Sequence, residues 1–183
     1  VLSARAQADV CARVKIEIVQ ELTLERQAFD AHMRITNGLT ALDIDHFQDV
    51  NHRFSFDLGD QVLAGVAGVI TGECGSDALP SCFGGDEFIV MLRDVGGIHD
   101  PLDIAHRLRR EIARPFPMDE GDIYVTASIG IAQAPIDGRR AAQLIQNADV
   151  AMYDSKRRGR NDWQAFTAEL AEQQLQRLQL ETH

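Results

Sequence analysis

Short apolar runs and helical apolar spacings alternate along this chain, and the alternation predicts which segments are strands and which are helices. Apolar or β-branched runs predict four strands, at 39–44, 78–83, 87–92 and 123–134. Apolar residues at helical spacing predict four helices, at 58–71, 101–113, 139–159 and 166–180. Residues 1–30 show the same spacing between many charges and predict one or two further helices.

The order of these elements distinguishes between sheet architectures. Two predicted strands are separated only by Gly84, Gly85 and Asp86, which is the spacing of a β-hairpin with a tight turn. An antiparallel hairpin and the small number of strands argue against a doubly wound parallel sheet. We therefore predict an α/β domain with a mixed central β-sheet that contains this hairpin and is flanked by helices.

Length, charge and cysteine content limit the class of protein. A chain of 183 residues is long enough for one domain with some additional helix. The formal net charge of −10 argues against a nucleic-acid partner, because such binding needs a basic surface. Three cysteines without metal-type spacing favour a reducing cytoplasm. We expect a cytoplasmic domain without membrane contact of its own, which a longer protein could anchor through other segments.

The two ends of the chain suggest how it is divided. The sequence begins Val-Leu-Ser without Met and ends within a polar helical pattern, so we expect it to come from a longer protein. We place one domain over residues 1–165. Residues 166–183 are then a C-terminal linker helix that leads towards a further, downstream domain.

Acidic residues are concentrated at a predicted strand end and at the predicted hairpin tip. Asp43 and Asp45 lie two apart and can project to the same side, while Asp86 and Glu87 occupy the tip. If the hairpin pairs beside the first strand, up to four carboxylates converge, and protons or a cation must relieve their repulsion. Mg²⁺ suits such an all-oxygen site and completes its shell with substrate phosphates. A turn without side chains would let a nucleotide approach the backbone.

Each of these features also has an ordinary structural explanation. An Asp-x-Asp pair is usually a solvated strand end, and a Gly-Gly-Asp sequence is usually only a turn. Asn and Asp residues near helices are often caps. The basic cluster of Lys156, Arg157, Arg158 and Arg160 could offset a phosphorylated ligand, or could simply complement a helix dipole.

Five motifs in a fixed order favour function over these alternatives. FGGDEF (83–88) occurs together with LDIDHFQDVN (42–51), LGDQVL (58–63), TASIGIA (126–132) and ADVAMYDSKRRGRN (148–161). Over roughly residues 37–165 the chain thereby resembles the GGDEF family, the diguanylate cyclases. The resemblance implies a sheet flanked by helices, like the palm of nucleotide polymerases and cyclases, with a ferredoxin-like core.

The same resemblance implies an activity and partners. Family members condense two GTP into cyclic di-GMP with release of pyrophosphate, using Mg²⁺ or Mn²⁺, in bacterial second-messenger signalling. Because one domain holds one GTP, two domains must meet as a transient homodimer. The end of the chain resembles the junction in tandem proteins, where an EAL phosphodiesterase domain follows.

Site roles are implied by the resemblance residue by residue. It implies a metal site made by Asp43, Asp86 and the Ile44 carbonyl, and catalytic roles for Asp86 and Glu87. Glu87 is expected near the attacking 3′-hydroxyl, where it takes part in its deprotonation. The implied substrate contacts are guanine at Asn51 and Asp60, terminal phosphates at Lys156 and Arg160, phosphates along the backbone of His46 and Phe47, and the nucleotide above Gly84 and Gly85.

The chain departs from the family pattern in four places. Gln48 replaces a phosphate-contacting Lys, Ser55 and Phe56 replace Gly-His, and the upstream segment DVCARVKIE (9–17) barely matches. The Arg and Asp of the product-inhibition motif are replaced by Gly75 and Ala78. We therefore expect cyclic di-GMP to inhibit only by competing at the active site.

Three functional hypotheses stay open at this point. The first is a diguanylate cyclase, which the intact Gly-Gly-Asp-Glu-Phe favours. The second is a catalytically weak or inactive GTP-binding domain that regulates an adjacent EAL domain, which Gln48 and the altered upstream motif favour. The third is a receiver-like phosphoacceptor domain, which also groups acids near a lysine but requires a five-stranded parallel sheet.

Overall fold

The computed structural model describes residues 38–75, 78–92, 100–119 and 121–181, so the helices predicted within 1–30 lie outside the described residues. The described strands are β1 Gly38–Asp45, β2 Ala78–Gly84, β3 Glu87–Leu92, β4 Phe116–Met118, β5 Gly121–Ile123, β6 Thr126–Gln133 and β7 Trp163–Ala165. The described helices are α1 Phe47–Arg53, α2 Phe56–Cys74, α3 Pro101–Ile112, α4 Ala141–Arg158 and α5 Ala168–Glu181.

Five strands form the central sheet, in the spatial order β2-β3-β1-β6-β7. Strand β1 is antiparallel to both β3 and β6, β2 is antiparallel to β3, and β7 adds parallel to β6. The succession β1-α2-β2-β3-α3-β6, with its antiparallel neighbours, is a ferredoxin-like core. The predicted mixed sheet with a hairpin is confirmed. The receiver-like alternative is wrong, because it requires a parallel sheet.

Strand β1 is the centre of the domain, and all eight of its residues are buried. Leu42 and Ile44 belong to the core cluster shared with α2 and α3. Leu39 and Ala41 belong to a second cluster shared with α4. Because side chains alternate along a strand, Asp43 and Asp45 continue the face that packs towards α4. The acids at the strand end therefore lie on the same side as that helix.

Local sequence signals explain where the helices begin and end. Ser55 precedes α2 and its hydroxyl accepts a hydrogen bond from the Leu58 N–H at 3.1 Å. Asp100 caps α3 in the same way through the Leu102 N–H, at 2.9 Å. Helix α4 ends at Gly159, whose φ of 129° suits glycine. Among the described residues, none of the helices is long and apolar enough to cross a membrane.

One predicted strand is corrected by the structure. The segment 123–134 was expected to be a single strand, but Ile123 ends β5 and the sheet strand β6 starts only at Thr126. The pairing of β6 with the central strand β1 begins at the pair Asp45–Thr126. The residues of β5 pair instead with β4 in a separate two-stranded sheet. The β-branched composition is shared by both pieces, so the pattern alone does not mark the break.

Helix α4 packs very closely onto β6 at one glycine. A Cβ added to Gly130 would overlap the backbone of α4, at the Ala148 carbonyl and at Met152. Backbone atoms cannot move aside as a flexible side chain can. The absence of a side chain at this position therefore sets how closely α4, with its basic C-terminal turn, lies against the sheet.

We predict that Gly130→Ala lowers the free energy of unfolding by at least about 2 kcal/mol, because the added methyl group overpacks the contact with α4. Gly68→Ala is the matched control, since a Cβ at that exposed position in α2 meets no heavy atom within 4 Å. It should be neutral or stabilising by about 0.5–1 kcal/mol. Urea unfolding of both variants measures the difference. Equal effects would contradict the proposed packing.

Candidate active site

An open pocket of about 390 Å³ lies at the end of β1. The walls come from the strand end, the first turn of α1, the hairpin tip and the end of α4. The lining residues are Asp43, Ile44, Asp45, His46, Phe47, Gln48, Asp49, Asp86, Lys156 and Arg160. The pocket thus brings both members of the expected metal pair together with both expected phosphate-binding cations.

The hairpin tip lies beside the end of β1 through regular strand pairing. Asp43 is the cross-strand partner of Glu87, and the Ile44 N–H donates to the Asp86 carbonyl at 3.1 Å. Gly85 has a φ of 57°, a conformation that glycine adopts without steric cost. A Cβ at Gly84 would meet no protein atom within 4 Å, so packing does not explain that glycine.

Asp43 is an acid held in an unfavourable environment. Its side chain is 12% exposed and lies 2.9 Å from the Lys156 ammonium. Burial raises the pKa of Asp43 above its ordinary value; the hydrogen bond and charge of Lys156 oppose this, while the charges of Asp86 and Asp45 add to it. A cation at this position would therefore be favourable.

Adjacent acids of the hairpin have different surroundings. Asp86 lines the polar pocket, whereas Glu87 lines a neighbouring, mainly apolar pocket of about 440 Å³ together with Phe83 and Met152. Burial is the main reason that the pKa of Glu87 is raised, and the charges of Asp43 and Asp149 follow. Glu87 is consequently a stronger proton acceptor than an ordinary, solvated carboxylate.

The four clustered cations at the end of α4 divide into two pairs. Lys156 and Arg160 line the pocket. Arg158 and Arg157 pair instead with Asp154 on the same helix, with N–O distances of 2.6 and 3.7 Å. Helical spacing accounts for the division, because Asp154 lies three and four residues before its partners.

Asp45 has a structural environment that the sequence did not indicate. Its carboxylate accepts hydrogen bonds from the hydroxyls of Ser128 at 2.7 Å and Thr126 at 2.8 Å. Both partners lie on β6, in the TASIGIA motif, on the same strand face as Gly130, which packs against α4. An Asp-x-Asp pair beside a Thr-x-Ser strand is the signal that could have suggested this arrangement.

The expected guanine residues do not line the pocket at the end of β1. Asn51 lies in α1, beyond its first turn, and Asp60 lies in α2. The Asn51 Oδ1 is buried and has no hydrogen-bond partner among the described residues. The oxygen fits there only because Gly59 has no side chain. A Cβ at Gly59 would overlap the Asn51 Oδ1. Burial, together with the charge of Asp57, raises the pKa of Asp60.

His46 and Phe47 differ in what they can offer a ligand. His46 has a φ of 59°, and its exposed ring lies 3.6 Å from the Asp49 carboxylate. The Phe47 side chain is buried in the core shared with α2. Phe47 can therefore offer a ligand only its backbone, and the backbone role expected for it stays a prediction.

Two relatives of similar sequence are considerably longer than this chain. The cyclic di-GMP phosphodiesterase NbdA of Pseudomonas aeruginosa is 35% identical over 140 residues, which cover 76% of this chain and 18% of NbdA. The bifunctional diguanylate cyclase/cyclic di-GMP phosphodiesterase MucR of the same organism is 34% identical over 143 residues, 75% of this chain and 20% of MucR. The chain thus spans about a fifth of these relatives.

A similar solved structure is the isolated GGDEF domain of TpbB, also called YfiN, from Pseudomonas aeruginosa. It matches with a TM-score of 0.76 at 27% identity, over 82% of this chain and 91% of that domain. The sequence model of the family described as diguanylate cyclase, GGDEF domain, matches residues 12–162. Since that match covers most of the chain, the chain belongs to the GGDEF domain family of diguanylate cyclases.

Proposed function

We propose that this domain binds GTP with a divalent cation and condenses two GTP into cyclic di-GMP, releasing two pyrophosphates. The observation that carries the proposal is that Asp43, Asp86, Lys156 and Arg160 all line one pocket. Carboxylates suit a divalent cation, and the two basic side chains suit phosphates. MucR, whose name includes diguanylate cyclase activity, supports the same function.

The residues at the strand end fit a divalent cation. Asp43, Asp86 and the Ile44 carbonyl would hold Mg²⁺ or Mn²⁺. Burial, and after it the charges of Asp86 and Asp45, raise the pKa of Asp43, and a cation would favour its charged form. Within the described ranges, no three His, Cys, Asp or Glu side chains are grouped to hold a metal alone. Phosphate oxygens and water must then complete the shell, as is usual for Mg²⁺. Once bound, the cation would offset charge on the triphosphate and on the pyrophosphate leaving group.

The phosphates of GTP would lie in the pocket at the end of β1. Lys156 and Arg160 would contact the terminal phosphates, and the backbone of His46 and Phe47 would run along the chain of phosphates. Gly84 and Gly85 would lie under the nucleotide. The open space around the Cβ position of Gly84 supports this placement, since no protein group occupies it.

Asn51 and Asp60 would recognise the guanine base. Guanine presents an N1–H and an exocyclic amine as donors, which an amide oxygen and a carboxylate can accept. The Asn51 Oδ1 has no hydrogen-bond partner among the described residues, so its acceptor capacity is left for a donor such as the base. An adenine base lacks this pair of donors.

The reaction needs a proton acceptor and a second domain. The 3′-hydroxyl of one GTP attacks the α-phosphorus of the other; a P–O bond forms as the bond to pyrophosphate breaks, and Glu87 takes the hydroxyl proton. The raised pKa of Glu87 favours this role. The reciprocal attack closes the ring, so two domains must face each other in a transient two-fold dimer.

One observation favours a regulatory function as the second candidate. Gln48 lines the pocket at the position where the family resemblance leads one to expect a Lys, so the phosphate site has one cation fewer. In this case the domain would bind GTP without turnover and control an adjacent EAL phosphodiesterase domain. We likewise propose the division into a domain over 1–165 and a linker helix over 166–183.

We predict that the purified chain, incubated with GTP and Mg²⁺, produces cyclic di-GMP and pyrophosphate, which mass spectrometry detects. GTP binding without product would support the regulatory candidate. Absence of both binding and product would contradict both.

Calorimetry measures whether GTP binding depends on the divalent cation. GTP affinity should fall when EDTA replaces Mg²⁺, and Asp43→Ala and Asp86→Ala should each remove most of this dependence. Asp122→Ala, which removes an exposed acid from β5, is the control and should preserve it. Equal GTP affinity with and without Mg²⁺ in the unmodified chain would contradict the metal site.

A second prediction concerns base selectivity. ATP should bind at least roughly tenfold more weakly than GTP, because adenine leaves buried polar groups unpaired. Asn51→Ala should narrow this ratio by weakening GTP while changing ATP little. Competition calorimetry measures both affinities. Comparable GTP and ATP affinities in the unmodified chain would show that the assignment of Asn51 and Asp60 is wrong.

A third prediction concerns pH. A raised pKa means that the folded state holds the Glu87 proton more tightly than the unfolded state, so stability is lost as pH rises above the ordinary value of 4.5. Glu87→Gln removes this loss. In EDTA, its free energy of unfolding should therefore exceed that of the unmodified chain by an amount that grows from pH 4 to pH 7. Glu172→Gln, an exposed change on α5, is the control, and its effect at pH 7 should be smaller than that of Glu87→Gln. A difference for Glu87→Gln that shrinks with rising pH would contradict the burial of Glu87.

A further inference from the structure

Asp45 lines the pocket, yet its carboxylate already accepts hydrogen bonds from several groups of the protein. Its side chain is only 1% exposed. Besides the hydroxyls of Ser128 and Thr126, it accepts a hydrogen bond from the Asn161 N–H at 3.0 Å. The Arg160 guanidinium lies 3.9 Å from its other oxygen. A carboxylate offers about four lone-pair positions, so little capacity is left for a metal.

The segment that Asp45 contacts has an unusual backbone. Arg160 and Asn161 have φ values of 63° and 46°, in the left-handed region that residues with side chains rarely adopt. They follow Gly159, which also has a positive φ. Such a conformation persists only when the surroundings hold it.

Three contacts hold this turn from different sides. The Asn161 N–H donates to Asp45, and the Asn161 carbonyl accepts from the Arg109 guanidinium at 3.2 Å. The Arg160 N–H donates to the Ser155 carbonyl at 3.2 Å, which ties the turn to α4. Of these partners, Asp45 alone also pairs with the Arg160 side chain.

We propose that Asp45 is a positioning residue that holds the Arg160–Asn161 turn and orients Arg160 towards the terminal phosphates of GTP. It would act through Arg160, whereas Asp43, two residues earlier on the same strand face, contacts the ligand shell directly. The proposal rests on the proposed function, because it takes GTP as the ligand of Arg160. It assigns different tasks to two acids that sequence spacing alone makes equivalent.

The first test is a double-mutant cycle in the whole chain, with Mg²⁺-GTP and GMP as probes. Asp45→Asn should weaken GTP about tenfold, the effect of losing one charged contact, and GMP less than about twofold. In an Arg160→Ala background, Asp45→Asn should change GTP affinity less than about twofold, because the two residues act as one unit. Independent, multiplying effects, or equal losses for GTP and GMP, would overturn the proposal.

Asp154→Asn is the matched control. Asp154 is also a buried acid paired with arginines, but its partners Arg157 and Arg158 do not line the pocket. Its replacement should leave GTP affinity within about twofold of the unmodified chain. A tenfold loss there would show that removing any buried acid disturbs the site, and would overturn a specific role for Asp45.

The second test needs no nucleotide. In Asp45→Ala, exchange of the Asn161 amide hydrogen should become at least about tenfold faster, while that of Ile129, which donates to the Asp162 carbonyl, should change less. Unchanged Asn161 exchange would overturn the proposal. If the unmodified chain binds no GTP, the proposed function fails, and the exchange result alone still decides whether Asp45 holds the turn.

Discussion

The cost of placing carboxylates at the end of a buried strand determines how this site is built. Asp43 and Asp45 lie at the end of β1, the central strand, where water cannot solvate them fully. Each is offset by a different partner, Lys156 for Asp43 and a set of hydrogen-bond donors for Asp45. Lys156 and Asn161 lie where they do because of how α4 and the turn after it are docked, whereas Thr126 and Ser128 belong to β6.

The packing of α4 against the sheet also determines which charged groups meet in the pocket. Gly130 on β6 allows the backbone of the helix to approach the sheet closely. The approach places Lys156 against Asp43 and leads into the turn that carries Arg160. A domain that loosened this contact would separate the cations from the acids, and the buried charges would then oppose folding. The same contacts therefore serve both the stability of the strand end and the assembly of the pocket.

Elements with strong local patterns could be predicted from the sequence. The apolar run of β1, the Gly-Gly-Asp hairpin and helix α4 with Gly159 at its end all follow from short-range signals. Strands β4, β5 and β7 have three residues each, and such short elements leave no recognisable period. Their positions depend on pairing partners that sequence patterns do not identify.

The site could be predicted only in part for the same reason. The acids and cations of the pocket were identifiable because the motifs carry them in a known order. The role of Asp45 was not identified from the sequence, because its partners Thr126, Ser128 and Asn161 lie 81, 83 and 116 residues away along the chain. The pairing of Arg157 and Arg158 with Asp154 likewise appears only once the helix is built.

The central claim is that Asp43 binds the metal, whereas Asp45 holds the Arg160–Asn161 turn. A crystal structure with Mn²⁺ and a GTP analogue that cannot react tests this claim most directly. The anomalous peak of Mn²⁺ should lie within coordination distance of Asp43 and Asp86, while Asp45 keeps its hydrogen bonds from Thr126 and Ser128. Mn²⁺ coordinated by Asp45, or a bound nucleotide with no metal at Asp43 and Asp86, would contradict the account.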